Sequence, residues 1–515
     1  MRRLKIIIGI LIGCIIIGFF FLQNRFKNEI VNGIETKLPP NIKLDYAKIN
    51  TSILAGNIQL YRVSIQLFNS NKDLISQIKM DKFMVSGLSF WHFLMYDTIA
   101  LDAIVLENPN LQHYRNLLKQ LQQKNVTDNN QFDKNIVVDK ISIINGSFKL
   151  YQNNGSMVST SLDGIHFTLN KCKTNPVQLK EKIPFHYDGF KIKAKEFFTN
   201  LSNFETLEIQ DLNIEDNQLS LKNLCINPKF TREVLSTKLN VERDYFELHI
   251  PEIAIYKLDF GFNNNTFFVA ADSSNISKPN LVVYRDKRVA DDLRIKRMYS
   301  KMLRALDFDF AFSKININDA YMSYAERIED TDKAGKIFFD SINACLSQLS
   351  NTYKKGGKTV LLVDSKFMGQ TPMHLDVRFD INNKQDTFLA SGALKNFNAE
   401  IANAFFKSNL NVKADGEIEQ IYFTFSGNNL ESQGDLKMKY DNFKFEIIND
   451  KNQVNKLFTT IGNLFVNDGS KTDGEGYRHG KIEVGRQTTK SFFNYLWINV
   501  ESGLISTLTG NGKKA

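Results

Sequence analysis

The sequence predicts a mainly β protein: a single N-terminal transmembrane helix, then a long antiparallel, repetitive sheet with a few amphipathic helices, including a helical C-terminal end. Three observations predict it. Apolar and polar residues alternate with period two through most of the chain beyond Ile42. Only nine prolines interrupt 515 residues, and turns such as Asn145-Gly146 and Asn154-Gly155 punctuate the runs. A segment of the chain also recurs 170 residues later.

The transmembrane element is the uncharged run Ile6 to Leu22, preceded by Arg2, Arg3 and Lys5 and followed by Arg25 and Lys27. As a helix it reaches roughly 25 Å, the short end of what spans a bilayer. A cleaved signal peptide would need a small-x-small site, and none follows Leu22. Leu11-Ile12-Gly13-Cys14 resembles a lipobox, yet the residues after Cys14 stay apolar or Gly to Leu22. A single uncleaved anchor over residues 1–24 fits best. The charge bias puts the N-terminus in the cytoplasm and the bulk on the far side.

Residues 25–40 read as a juxtamembrane helix, with Phe26, Ile30 and Ile34 at spacing four before Pro39-Pro40. Strand runs follow. Tyr61, Val63 and Ile65 alternate with Arg62 and Ser64, and Phe167 and Leu169 with His166 and Thr168. Phe308 and Phe310 belong to another run, as do Leu375, Val377, Phe379 and Ile381, and then Phe443 and Phe445. All are apolar-face positions of predicted strands.

The repeat sets the domain plan. Pro109-Asn110-Leu111-x-x-Tyr114-Arg115 recurs as Pro279-Asn280-Leu281-x-x-Tyr284-Arg285, and Lys140-Ile141-x-Ile143 as Lys314-Ile315-x-Ile317. Two diverged β modules, 41–204 and 205–356, therefore stand in tandem, as in stacked repeats. A C-terminal β block covers 357–450, with a helical patch near Asn398–Lys407, and 451–515 is predicted helical. Within it Val454 to Phe465 and Phe493 to Leu508 each carry an apolar side, suited to covering a last strand.

The insertions after the repeated motifs differ. Leu117 to Lys134 is rich in Gln and Asn. Residues 285–306 read as a helix, with Ile295, Tyr299, Met302, Leu303 and Leu306 on one side and Arg294, Arg297, Lys301 and Arg304 on the other. Its cations suit anionic lipid headgroups, or else a solvated face above a sheet.

Composition and motifs exclude other classes. A net charge of +9 is too small for a nucleic-acid binder of this length. The four cysteines are scattered, and the seven histidines show no ligand spacing. No nucleophile elbow, zincin, P-loop or dinucleotide fingerprint occurs. Asp330-x-Asp332-x-Ala334-Gly335 starts like a calcium loop but fails at Ala334 and Ser341. The reading is a non-enzyme with no cofactor and no metal.

Several stretches resemble AsmA-like envelope proteins. They are the anchor, then Leu54-Ala55-Gly56-Asn57-Ile58, Ser86-Gly87-Leu88-Ser89-Phe90-Trp91, Gly434-Asp435-Leu436-Lys437-Met438-Lys439-Tyr440-Asp441 and Lys490-Ser491-Phe492-Phe493-Asn494-Tyr495-Leu496-Trp497. The resemblance covers both ends, the middle matching by pattern only. It implies an inner-membrane anchor, a periplasmic β body curled into an open half-pipe, and a role in outer-membrane biogenesis and phospholipid movement. Partners would be phospholipids, the inner membrane and envelope proteins at the C-terminal end. The lipid-groove candidates are the apolar-face residues named above, Tyr61 to Phe445. The alternative is a structural assembly factor for outer-membrane proteins, with those positions filled as core.

Overall fold

Alternating β-branched and aromatic residues build long strands throughout the computed structural model, which describes residues 38–52, 55–89, 95–115, 134–152, 157–328, 334–352, 357–448 and 472–509. The predicted anchor, nearly all of the juxtamembrane helix and of the first insertion, and the helix marked by Val454 to Phe465 lie outside the described residues. Among those described, no helix is long and apolar enough to cross a membrane. The chain divides into two compact units, one of residues up to 202 with 206–223 and 261–265, the other of 203–205, 224–260 and 266 onward.

In the first unit, β1 (Ile42–Asp45) and β2 (Lys48–Ser52) pair with β3 (Asn57–Phe68), and β3 with β4 (Leu74–Ser86), all antiparallel. Two consecutive strands, β5 (Thr98–Glu107) and β6 (Asn110–Tyr114), share the other edge of β4. Both run parallel to β7 (Asn135–Gln152). Antiparallel pairing then carries on through β8 (Met157–Thr174), β9 (Gly189–Asn200) and β10 (Glu205–Glu215). The strand β11 (Gln218–Pro228) takes the chain from one unit into the next.

The second unit repeats this plan. After β12 (Tyr245–Tyr256) and β13 (Asp259–Asn263), β14 (Thr266–Ser277) and β15 (Asn280–Asp286) share one edge of β12. Both run parallel to β16 (Asp309–Arg327). Antiparallel strands follow: β17 (Gly335–Ser350), β18 (Thr359–Phe367), β19 (Thr371–Phe379), β20 (Phe388–Asn398), β21 (Val412–Gly427), β22 (Glu431–Ile447) and β23 (Arg478–Gly485). The architecture is therefore mainly β but mixed, not wholly antiparallel as the turn pattern predicted. Parallel neighbours need a crossover of about a dozen residues or more. The two insertions, 115–134 and 287–308, are those crossovers.

The modules also share their irregularities. Left-handed residues stand at Gly87, Asn108, Asn145, Gly164 and Lys171, with φ of 70, 50, 54, 57 and 51°. Lys257, Lys278, Asp319, Ser341 and Gln348 answer them at 51, 49, 53, 48 and 55°. The numbering offsets are 170 for the first two pairs, 174 for the third and 177 for the last two. The backbone around the central break is the same in both. Asn108 N–H donates to the Ile144 carbonyl and Ser147 N–H to that of Pro109, each at 2.8 Å. Lys278 N–H donates to Asn318 at 2.8 Å and Tyr321 N–H to Pro279 at 2.9 Å. Such bulges bend and twist the strands they interrupt.

Four helices complete the described chain: α1 (Arg232–Lys238), α2 (Tyr299–Arg304), α3 (Asn403–Leu410) and α4 (Phe492–Thr509). The predicted helix 285–306 is reduced to α2. Parallel pairing with Glu326 and Arg327 of β16 claims Arg285 and Asp286 for β15. Asp286 and Asp292 then accept hydrogen bonds from the backbone N–H groups of Arg288 and Arg294, each at 3.1 Å, turning the chain where a helix would need those groups. The C-terminal end is likewise not all helical, because Arg478–Gly485 pairs with β22. α4 covers these last strands. A Cβ on Gly480 would collide with Thr507, and one on Gly503 with Leu436, so the helix lies close on the sheet.

Candidate functional site

Where the face of a sheet is apolar, it must be covered or hold an apolar guest. In the first module the face is covered. Ile99, Ile104, Val138 and Ile141, none more than 1% exposed, pack with Leu60, Val63 and Val85. Leu38, Tyr46, Phe185 and Tyr187 close over them. A second filled cluster lies on β19–β23, where Val377, Ala390, Phe425, Leu436 and Ile482 meet Tyr495 of α4.

Between β12 and β18 the same face is different. Registers place Phe246, Leu248, Ile253 and Ile255 of β12 on it, beside Ile276, Leu281 and Val283 of β14 and β15. Ile315, Ile317 and Met322 of β16 follow, then Phe339, Ile342 and Leu346 of β17, then Val363 of β18, while Leu361 beside it packs against the second filled cluster. Every one of these side chains is only half-buried. Ile250, Ala271, Ser274, Phe312, Ala320, Thr359 and Ser365 are buried members of the face. The opposite face carries Glu247, His249, Lys314, Asn316, Lys336, Asp364 and Lys366. The middle of this surface of β12–β18 is thus apolar and partly accessible, and Arg285 and Glu326, two residues beyond Val283 and Tyr324, continue it with charge at one end.

The predicted groove residues do not share one place. Val63, Ile65 and Leu169 belong to the first filled cluster, with Phe167 packed against it. Val377 and Phe443 belong to the second, with Leu375, Phe379 and Phe445 against it. Ile381 is buried in the turn beyond β19. Tyr61 stands on the other face from Val63, because Arg62 at φ 50° shifts the alternation by one residue. Its hydroxyl donates to Gln59 at 2.7 Å, and Lys82 Nζ sits 5.9 Å above its ring. Phe310 does lie on the half-buried face, stacked on Phe312 at 4.9 Å, and Phe308 just before β16 meets Phe267. Ile315, Ile317 and Leu346 were not singled out as groove positions. The Lys-Ile-x-Ile repeat was the signal that marked the first two.

The four predicted surface cations also divide. Arg304 turns inward, donating to Asp386 at 2.7 Å and to the carbonyls of Ile381 and Asn383, so it is a structural clamp. Arg294 grips Asp292 at 2.8 Å while its side chain stays exposed. Arg297 and Lys301 are exposed.

Ion pairs tie this region to the C-terminal end. Glu242, 4% exposed at its side chain, meets Lys287 and Lys490 at 2.9 Å, and Arg285 at 3.9 Å. Burial would raise its carboxyl, but the bonds from Lys287 and Lys490 outweigh that and hold it below the usual range. The Arg288 guanidinium is the chief cause holding Asp286 down at about 2. Elsewhere, burial pushes the Cys172 thiol up to about 11, which suits a packed residue rather than a nucleophile. Among the described residues, no three His, Cys, Asp or Glu side chains gather as a metal site.

Compared with known proteins, the chain matches no family model, and no curated protein matches it.

Proposed function

We propose that the apolar face of β12–β18 holds phospholipid acyl chains, in a protein anchored in the inner membrane by residues 1–24 with its β body in the periplasm. The observation that carries this reading is the half-buried state of Ile315, Ile317 and Leu346. Recognition of an acyl chain is non-directional burial, worth about 0.8 kcal/mol per methylene, and needs no catalytic group. Headgroups would remain in water. The AsmA-like resemblance supports the same reading, with a half-pipe as the form of the body and outer-membrane lipid supply as its role.

The second reading is a non-enzymatic assembly factor with a filled core, favoured by the covered faces at β3–β8 and β19–β23. Neighbouring phenylalanines separate the two. Phe339 lies on the apolar face opposite Met322, whereas Phe338 faces the polar side against Tyr321. A photoreactive phenylalanine analogue at 339 in the full chain should crosslink phospholipid, and one at 338 should not. Equal labelling, or crosslinks to protein alone at 339, would sink the lipid reading and leave the assembly factor.

A further inference from the structure

A different surface of the second unit presents apolar side chains that the sheet does not use. Leu293 and Ile295 are 77% and 74% exposed, and Met302 and Phe493 half or more. Two exposed aliphatic side chains flanking one arginine are costly to display in water. Their backbone is nevertheless held at both ends. Glu242 N–H donates to the Ala290 carbonyl at 2.6 Å and Lys296 N–H to that of Thr488 at 2.8 Å. Between these anchors Asp292, itself buried, takes Arg294 N–H at 3.1 Å and the side chains of Arg294 and Lys296. Just beyond, Met298 is packed in the second core cluster, and Ser300 donates to buried Asp386 at 2.7 Å.

The tip 293–295 is therefore presented in one conformation, with its ordering entropy already spent in folding. Tyr299, with its ring against those of Phe492 and Phe493, continues the apolar patch. The exposed cations along it are Arg294, Arg297 and Lys301. Aspartate 292 is turned inward and Asp291 is engaged by Lys490 at 2.9 Å. Aliphatic side chains at a tip, an aromatic pair behind them and cations between them match a bilayer interface with anionic headgroups.

We propose that the Leu293–Ile295 tip, with Met302 and Phe493, docks onto an anionic membrane surface, Arg297 and Lys301 taking the headgroups. This inference does not rest on the acyl-chain reading of the sheet face. The occupant is a lipid surface rather than a protein because the exposed cations Arg297 and Lys301 stand beside the aliphatic residues Ile295 and Met302, and the exposed acid nearest the tip in sequence, Asp291, is already engaged by Lys490.

The test uses the full chain with its four native cysteines replaced by alanine and Ile295→Cys carrying an environment-sensitive fluorophore. A control label sits at Val177→Cys, also strongly exposed. Reconstituted into vesicles with about 30% phosphatidylglycerol, the 295 label should shift to the blue and brighten, and in neutral phosphatidylcholine vesicles it should not. Arg297→Glu with Lys301→Glu should abolish the shift, and ~1 M salt should reduce it. Both residues are exposed, so that variant leaves the core intact, which circular dichroism checks. Identical emission in the two vesicle types, or a shift equal to that at 177, would overturn the proposal. So would a shift that tracks protein concentration without lipid, which would mark the patch as a contact between copies.

Discussion

The two modules place chemically similar residues at equivalent positions and treat them differently. Ile141 and Ile315 occupy the same place in the repeat, as do Leu169 and Leu346. In the first module both are buried under Leu38, Tyr46, Phe185 and Tyr187 or the sheet beside them. In the second both are half-buried. An alternating strand pattern therefore encodes a face, not what lies on it. What covers the first module comes from two segments, residues 38–46, which contain β1, and 185–190, which lead from the β8–β9 connection into β9. The corresponding stretch between β17 and β18 contributes no such aromatic pair among its described residues, Asn351, Thr352, Gly357 and Lys358.

The sharpest way to break this contrast is a matched pair of truncations. Ile141→Ala should lose about 3 kcal/mol of stability, since a filled core leaves a cavity, and Ile315→Ala only about 1 kcal/mol. Chemical denaturation of the two full-length variants reads the difference, and equal losses would mean the two faces are equally packed.

Acid should divide the molecule next. The folded-state carboxyls of Glu242 and Asp286 sit below their unfolded values, Asp286 at about 2. Their contribution is therefore complete above the ordinary carboxylate range near pH 4 and is lost as pH falls toward 2. The carboxylates are buried, but Lys287, Arg288 and Lys490 remain partly in water, which limits the loss to about 1 kcal/mol. Hydrogen exchange at descending pH should show β15 and the region around Lys490 opening while β3 and β4 stay protected. Simultaneous opening would argue that these pairs hold nothing in particular.

The smallest effect concerns the central bulges. Asn108 donates to Asp81 at 2.7 Å and accepts from Asn145 at 2.8 Å, whereas among the described residues Lys278 makes a backbone bond, to Asn318, at its break. Asn108→Ala should cost about 1 kcal/mol, because it removes both bonds and a residue type tolerant of left-handed backbone, and Lys278→Ala under about 0.5 kcal/mol. Thermal melting distinguishes the two. A larger loss at Lys278 would mean its side chain supports the second module's bend.

Much of the fold was legible in the residues. Period-two runs such as Leu375 to Phe379 became strands, Phe493 to Leu508 a helix, and the Pro-Asn-Leu and Lys-Ile-x-Ile repeats lie on strands of matching pairing. These are local signals, because side-chain alternation follows from backbone geometry alone. Long-range pairing carried no such signal. The parallel strands β5 to β7 and β14 to β16 followed from crossovers whose sequences showed only polar or helical character. The left-handed residue Arg62 moved Tyr61 to the other face, though nothing in an arginine announces a bulge. The arrest of the 285–306 helix needed Asp286 and Asp292 to be seen bonding the backbone.

The candidate site divides along the same line. Within an unbroken run, sequence by itself determined which residues alternate to one face, because the period of a strand is fixed by its chain, and a bulge such as that at Arg62 resets it. Only tertiary structure decided that Val377 and Val63 are sealed while Ile315, Ile317 and Phe310 are half-open. Burial depends on which distant segments arrive above a sheet, and those contacts are set by loop lengths and packing between elements far apart in the chain.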